Sequence, residues 1–156
     1  MNRSEQAAVF LATGGYIGMA PLAPGSFGSL LGLPLFWFMS RMTTPYAAAC
    51  LAALILIGIW ASGQAEKLLG KKDPASVVID EIAGMGVVFI GLPFSWPVAI
   101  AGYIVFRVVD IIKPFPVNWL ESRMAGGTGV MVDDLAAGLV TRLLLWIAGH
   151  AMAFGL

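Results

Sequence analysis

Charge is what this chain has least of. Only 12% of its 156 residues are charged, about half of the roughly 25% usual in a soluble domain. Nine basic and nine acidic residues cancel, so no bulk field recruits nucleic acid. One cysteine, Cys50, excludes an intrachain disulfide. Set in AAACLAALILIGIW with no cation or phosphate loop nearby, it reads as inert packing rather than a nucleophile. The one histidine, His150, stands near the end of the chain, far in sequence from every acid, which argues against a histidine-nucleophile phosphatase. No D-x-D nucleophile motif, no G-x-x-x-x-G-K-[ST] and no dinucleotide-type glycine fingerprint occurs. The opening MNRSEQAAVFLATGGYIG carries Glu5 and lacks a long apolar core, so a cleaved signal peptide is not expected.

What is present is apolar. The hydrophobic share is 59% and the mean hydropathy is +0.87. These values predict an all-α, polytopic integral membrane protein, one domain over 1–156. Residues 4–13 read as a short helix with Ser4 as N-cap. GGYIGMAPLAPGSFGS cannot be one regular helix, because Pro21 and Pro24 block it. Apolar segments follow at 29–39, 46–63, 77–92, 98–106 and 135–156. The run 46–63 is about 27 Å long as a helix, enough for a span with some accommodation.

The stretch 84–106 could be one span, or a hairpin turning at PFSWP, residues 93–97. The prolines favour the hairpin, giving four or five membrane-embedded helices. With the N-terminus cytoplasmic and SRMTTP outside, Arg3, Lys67, Lys71, Lys72, Arg107, Lys113 and Arg123 lie inside and only Arg41 outside. That is the positive-inside bias, and it brings every acidic cluster to the cytoplasmic face.

The clusters carry the chemistry. Asp80-Glu81 open DEIAGM, Asp110 and Glu121 lie in FRVVDIIKPFPVNWLE, and Asp133-Asp134 close AGGTGVMVDD. Carboxylates at the edges of apolar segments are costly unless paired or bound to a cation. Each cluster has a plainer reading. Asp80 and Glu81 could solvate a helix start. Arg107, Asp110 and Lys113, at i, i+3 and i+6, could be an ion-pair ladder. Asp133 or Asp134 could cap a helix beginning after them. Three clusters on one face point instead to a hard-cation site handling phosphate. Oxygen ligands favour Mg²⁺ over Zn²⁺, with Arg107 as a bidentate phosphate contact and Lys113 as a point charge. In PLAPGSFGS, Ser26 and Ser29 belong either to a phosphate-side loop or to a plain turn.

In order, PLAPGSFGSLLGLP, VIDEIAGM, FRVVDIIKPFPVNWLE and GGTGVMVDDLAAG resemble the phosphatidylglycerophosphatase A family over most of the chain. The resemblance implies an all-helical, Mg²⁺-dependent enzyme of the bacterial inner membrane. It implies removal of the terminal phosphate of phosphatidylglycerophosphate to give phosphatidylglycerol. Its acidic positions fall on Asp80, Glu81, Asp110, Asp133 and Asp134, of which Asp80, Glu81, Asp110 and Asp134 are the expected metal ligands. Its basic positions fall on Arg107 and Lys113. Relatives often have His where this chain has Ala125, so no catalytic role is carried to that position. The implied nucleophile is a water activated by the metal and a carboxylate, with an aspartyl-phosphate as the alternative. Two rivals use the same acids differently. A small cation transporter would place them near the midplane of related repeats, and a structural scaffold would not need three clusters.

Overall fold

A computed structural model describes residues 1–153, leaving the side chains at 121, 122 and 151–153 undescribed. Glu121, an acid of the middle cluster, therefore lies outside the described side chains. Among the described residues there are seven α-helices and no strand.

The first helix, α1 (Arg3–Ala12), is capped by Asn2 and not by Ser4. The Asn2 side chain accepts from the Glu5 N–H while the Glu5 carboxylate accepts from the Asn2 N–H, both at 2.8 Å. This reciprocal capping box satisfies two otherwise orphaned donors. After a short 3-10 turn at Ile17–Met19, α2 spans Pro24–Met39. Pro24 sits in its first turn, where a missing N–H costs nothing. Gly25, Ser26 and Ser29 are thus helical, and the helix starts more than a turn before its expected onset.

Next comes α3 (Thr44–Leu69), which continues through GQAEKLL until Gly70, at φ 62, ends it in the left-handed region. It alone, among the described residues, is long and apolar enough to cross a membrane. Cys50 lies on its exposed side, which corrects the expectation that this thiol is packed inside. Then α4 (Ile79–Phe89) and α5 (Trp96–Ile112) form the expected hairpin, with Ser95 capping α5. Their antiparallel register is fixed by glycines. A Cβ on Gly84 would stand 2.8 Å from the Phe106 ring, and one on Gly102 would run into Phe89. A short α6 (Val117–Arg123) leads into α7 (Gly126–Ala153). The last helix was expected from residue 135, so the glycine-rich string expected as a turn is helical instead.

The helices α4 and α7 run parallel along one seam. A Cβ on Gly84 would lie 2.7 Å from the Asp134 carbonyl oxygen, and one on Gly138 would lie 2.5 Å from that of Gly84. Farther along, Arg142 Nη1 donates to the carbonyls of Val88 (3.1 Å) and Ile90 (2.6 Å). Positions 80, 84 and 88 of one helix therefore meet 134, 138 and 142 of the other, each series repeating at i, i+4. Glycine at the middle step lets the backbones touch, as in helix pairs packed in lipid. Phe36 of α2 stacks on Phe89 at 4.0 Å and buries the far part of α4 with Met85, Val88 and Phe106. Gly91 lies beside Thr44 at that far end, so the SRMTTP break and the PFSWP turn share one end of the molecule. The acids share the other.

Candidate functional site

The acid end is assembled from four helix segments. Asp80 and Glu81 occupy the first turn of α4, where the N-terminal partial charge favours anions. No side chain caps that turn; the Val78 N–H before it is held by the Ala12 carbonyl at 2.8 Å. Asp80 is nevertheless buried, so the reading in which it merely solvates a helix start fails. Its Oδ1 accepts from the Glu81 N–H at 3.0 Å.

Asp133 and Asp134 lie inside α7, beyond its second turn, because the helix begins at Gly126. Neither is a helix cap. Both are buried, and adjacent helical positions turn them about 100° apart. Asp134 faces α4. One oxygen each from Asp80, Glu81 and Asp134 lie within 4.8 Å of one another. Asp110, near the end of α5, faces Asp134 and Glu81 and sets a fourth carboxylate beside that trio. Asp133 turns the other way. Its Oδ2 accepts from Lys113 Nζ at 2.7 Å, while its buried Oδ1 has no hydrogen-bond partner. That side opens on a cavity of about 40 Å³ shared with Glu66, Lys72, Asp73 and Ala125.

The cations divide in the same way. Arg107 Nη1 donates to Asp110 at 2.7 Å and to Ser29 Oγ at 3.3 Å. Its Nε is buried without a partner. Ser29 is fully buried and donates its own hydrogen to the Gly25 carbonyl at 2.8 Å. It orients the guanidinium and presents no free donor. Ser26 contributes a backbone carbonyl, which accepts from the Tyr103 hydroxyl at 3.3 Å. Lys113 ends α5 in the left-handed region at φ 46, which swings its ammonium off the face it was expected to share with Arg107 and across to α7. The ladder expected along α5 is therefore one rung, Arg107–Asp110, plus a tie between helices.

Three contributors escaped the sequence reading. A Cβ on Gly25 would collide with the Glu81 carboxylate and stand 3.4 Å from both terminal nitrogens of Arg107. That glycine lets α2 close over the acids. Tyr103 sits one turn before Arg107 on the same face of α5, an i, i+4 spacing that could have been read. Arg142 bonds only to carbonyls, which leave no mark in a sequence.

Beside these four carboxylates stands one guanidinium, paired with Asp110, and Glu81 Oε2 is buried with no hydrogen-bond partner. Burial in low dielectric makes an uncompensated carboxylate costly. An all-oxygen donor set with an unused buried oxygen fits a hard divalent cation. His150 takes no part, since its Nδ1 pairs with the Trp146 carbonyl at 2.9 Å well down α7.

Comparisons with known proteins point to one family. A family model described as Phosphatidylglycerophosphatase A matches residues 10–149. Phosphatidylglycerophosphatase A of Escherichia coli K12 is 33% identical over 94% of this chain and 86% of its own length. The Haemophilus influenzae protein of the same name is 30% identical, over 91% and 88%. A Bacteroides thetaiotaomicron protein named "Putative phosphatidylinositol-3-phosphatase" is 35% identical, over 95% and 97%. No solved structure matches the chain.

Proposed function

We propose that this chain, which belongs to the phosphatidylglycerophosphatase A family, hydrolyses the terminal phosphate of phosphatidylglycerophosphate. The products are phosphatidylglycerol and inorganic phosphate. The observation that carries the reading is the buried group of Asp80, Glu81, Asp110 and Asp134 beside Arg107. Those four carboxylates would hold Mg²⁺, which supplies Lewis acidity and a template for the phosphate oxygens. Arg107 has an uncommitted Nε to offer a non-bridging oxygen, and Ser29 fixes the plane of its fork. Glu81, with a free buried oxygen, takes the proton from the attacking water. That water bonds to phosphorus as the bond to the glycerol oxygen breaks, and the leaving oxygen takes up the proton that Glu81 has accepted. Lys113, steadied by Asp133, adds positive charge at the rim.

In this reading 1–156 is one membrane domain with α2, α3, the α4–α5 hairpin and α7 embedded. It is multi-pass in the bacterial inner membrane, with the acids on the cytoplasmic side. Cysteines placed at Ser76 and Asn118 in a Cys50→Ala background should both react with an impermeant reagent from the cytoplasm. Labelling from opposite faces would overturn this topology.

The activity test is phosphate release by purified protein from phosphatidylglycerophosphate. Phosphatidylinositol 3-phosphate, which the name of the Bacteroides relative points to, is the comparison substrate. EDTA should abolish release and Mg²⁺ restore it. Full activity after exhaustive chelation sinks the metal assignment. No release from either lipid sinks the phosphatase reading and favours a cation transporter.

A further inference from the structure

Two stripes of side chains face each other across α2 and α5. On α2 they are Ser26, Leu30, Leu33 and Trp37; on α5, running the other way, Arg107, Tyr103, Ile100 and Trp96. Both follow 4-3-4 spacing, which keeps them on one helical face. At the acid end the two helices are tied by the Tyr103 hydroxyl to the Ser26 carbonyl and by Arg107 to Ser29, both at 3.3 Å. Past that tie the helices part. They leave an almost wholly apolar cavity of about 470 Å³, lined by Leu30, Leu33, Pro34, Trp37, Phe94 and Trp96. Its far wall is fixed. Phe94 packs on Phe36 at 5.0 Å and edge-on to Trp96 at 5.3 Å, while the Arg41 guanidinium covers the Trp37 ring at 4.8 Å.

We propose that this groove holds one acyl chain of the phospholipid substrate, and that Trp37 and Trp96 set the chain length it accepts. The inference rests on the lipid-phosphatase reading above and locates the lipid within it. Two observations select this occupant. The groove's first lining residue, Leu30, directly follows Ser29, the partner of Arg107, so charge and greasy length follow one another as they do in a phospholipid. Ser26 to Trp37 rises about 16 Å along the helix, close to one leaflet of a hydrocarbon core about 30 Å thick. A second apolar cavity, about 430 Å³ between α5 and α7, is lined by Leu92, Val98, Leu145 and Arg142. It lies at the opposite end from the carboxylates, and Arg142 Nη1 is already engaged by two carbonyls.

The test varies chain length. Leu33→Trp fills the groove. It should raise KM at least tenfold for a dipalmitoyl substrate and leave a water-soluble short-chain substrate within twofold. Leu139→Trp, on the exposed side of α7, should change neither. Equal loss on both substrates, or no loss on either, overturns the groove. A wild-type protein inactive on every chain length overturns the phosphatase reading instead. A second arm needs neither turnover nor a variant. A phosphatidylglycerophosphate analogue with a diazirine at the chain end should crosslink to the peptides holding Trp37 and Trp96. Label spread evenly over the outer faces of α3 and α7 overturns the proposal even if Leu33→Trp fails to fold.

Discussion

The two ends of the α4–α7 seam each bury charge, and they answer it differently. At the far end the guanidinium of Arg142 meets the last carbonyls of α4, at Val88 and Ile90. The helix end supplies negative partial charge and the arginine supplies donors, so each completes the other. At the near end Asp80 and Asp134 face one another with Glu81 and Asp110, and a single guanidinium, Arg107, pairs with Asp110 beside Glu81. One end is electrostatically closed and the other is left short of positive charge. A fold gains no stability from such a deficit. The deficit is what marks the near end as the place where something from outside must bind.

The comparison is tested most severely at the acids. Asp80→Asn, Asp110→Asn and Asp134→Asn should each lower turnover by at least about a hundredfold, the order expected when a positioned group is lost from the transition state. Folding should survive. The metal-free Tm of Asp80→Asn and Asp134→Asn should be equal to or above that of the parent, because a buried like charge has been removed. The rise in Tm that Mg²⁺ gives the parent should vanish. A metal-free Tm that falls sharply in both would show that the near end is as closed as the far one.

The far end should behave the other way. Arg142→Leu removes charge-assisted bonds from two part-buried carbonyls and should lower stability by about 2 kcal/mol. Turnover per folded molecule should stay within about threefold, read by thermal unfolding in detergent beside the assay. At the middle of the seam, Gly84→Ala should cost about 1–3 kcal/mol from overpacking, since its Cβ would lie 2.7 Å from the Asp134 carbonyl. It should also lower activity by displacing that acid. Remote from both ends, Glu5→Gln weakens the α1 capping box by no more than about 1 kcal/mol and should leave hydrolysis unchanged.

Much of this was legible in the sequence. The hairpin followed from prolines in PFSWP, and it brings Asp80 and Asp110 to one end. The four acids at the near end and Arg107 were all recognisable, because charge inside an apolar pattern has few explanations. What escaped depended on contacts between distant segments. GGTG has poor helix propensity and reads as a turn. It is helical because Gly127 packs into the α3 backbone at Ile59 and Gly63, and only a residue without a Cβ fits there. Moving the start of α7 to Gly126 is what turned Asp133 and Asp134 from caps into inward-facing side chains with separate duties. The left-handed residue at Lys113 had no sequence signal either, and it decided which acid that lysine would meet.

The i, i+4 series on α7 makes that helix a measuring rod. Asp134, Gly138 and Arg142 are marks at fixed intervals, each read against its own mark on α4. A rod tolerates new paint better than a new length. Between Asp134 and Arg142 the exposed position is Leu139, and it can be exchanged. One residue inserted there would swing everything beyond it by about 100° and leave Arg142 aimed away from Val88 and Ile90. The stretch from Gly70 to Ser76, which lies outside any helix, carries no such marks. Among relatives, differences in length should gather in that loop and be missing from 134–142, whatever the residues in either become.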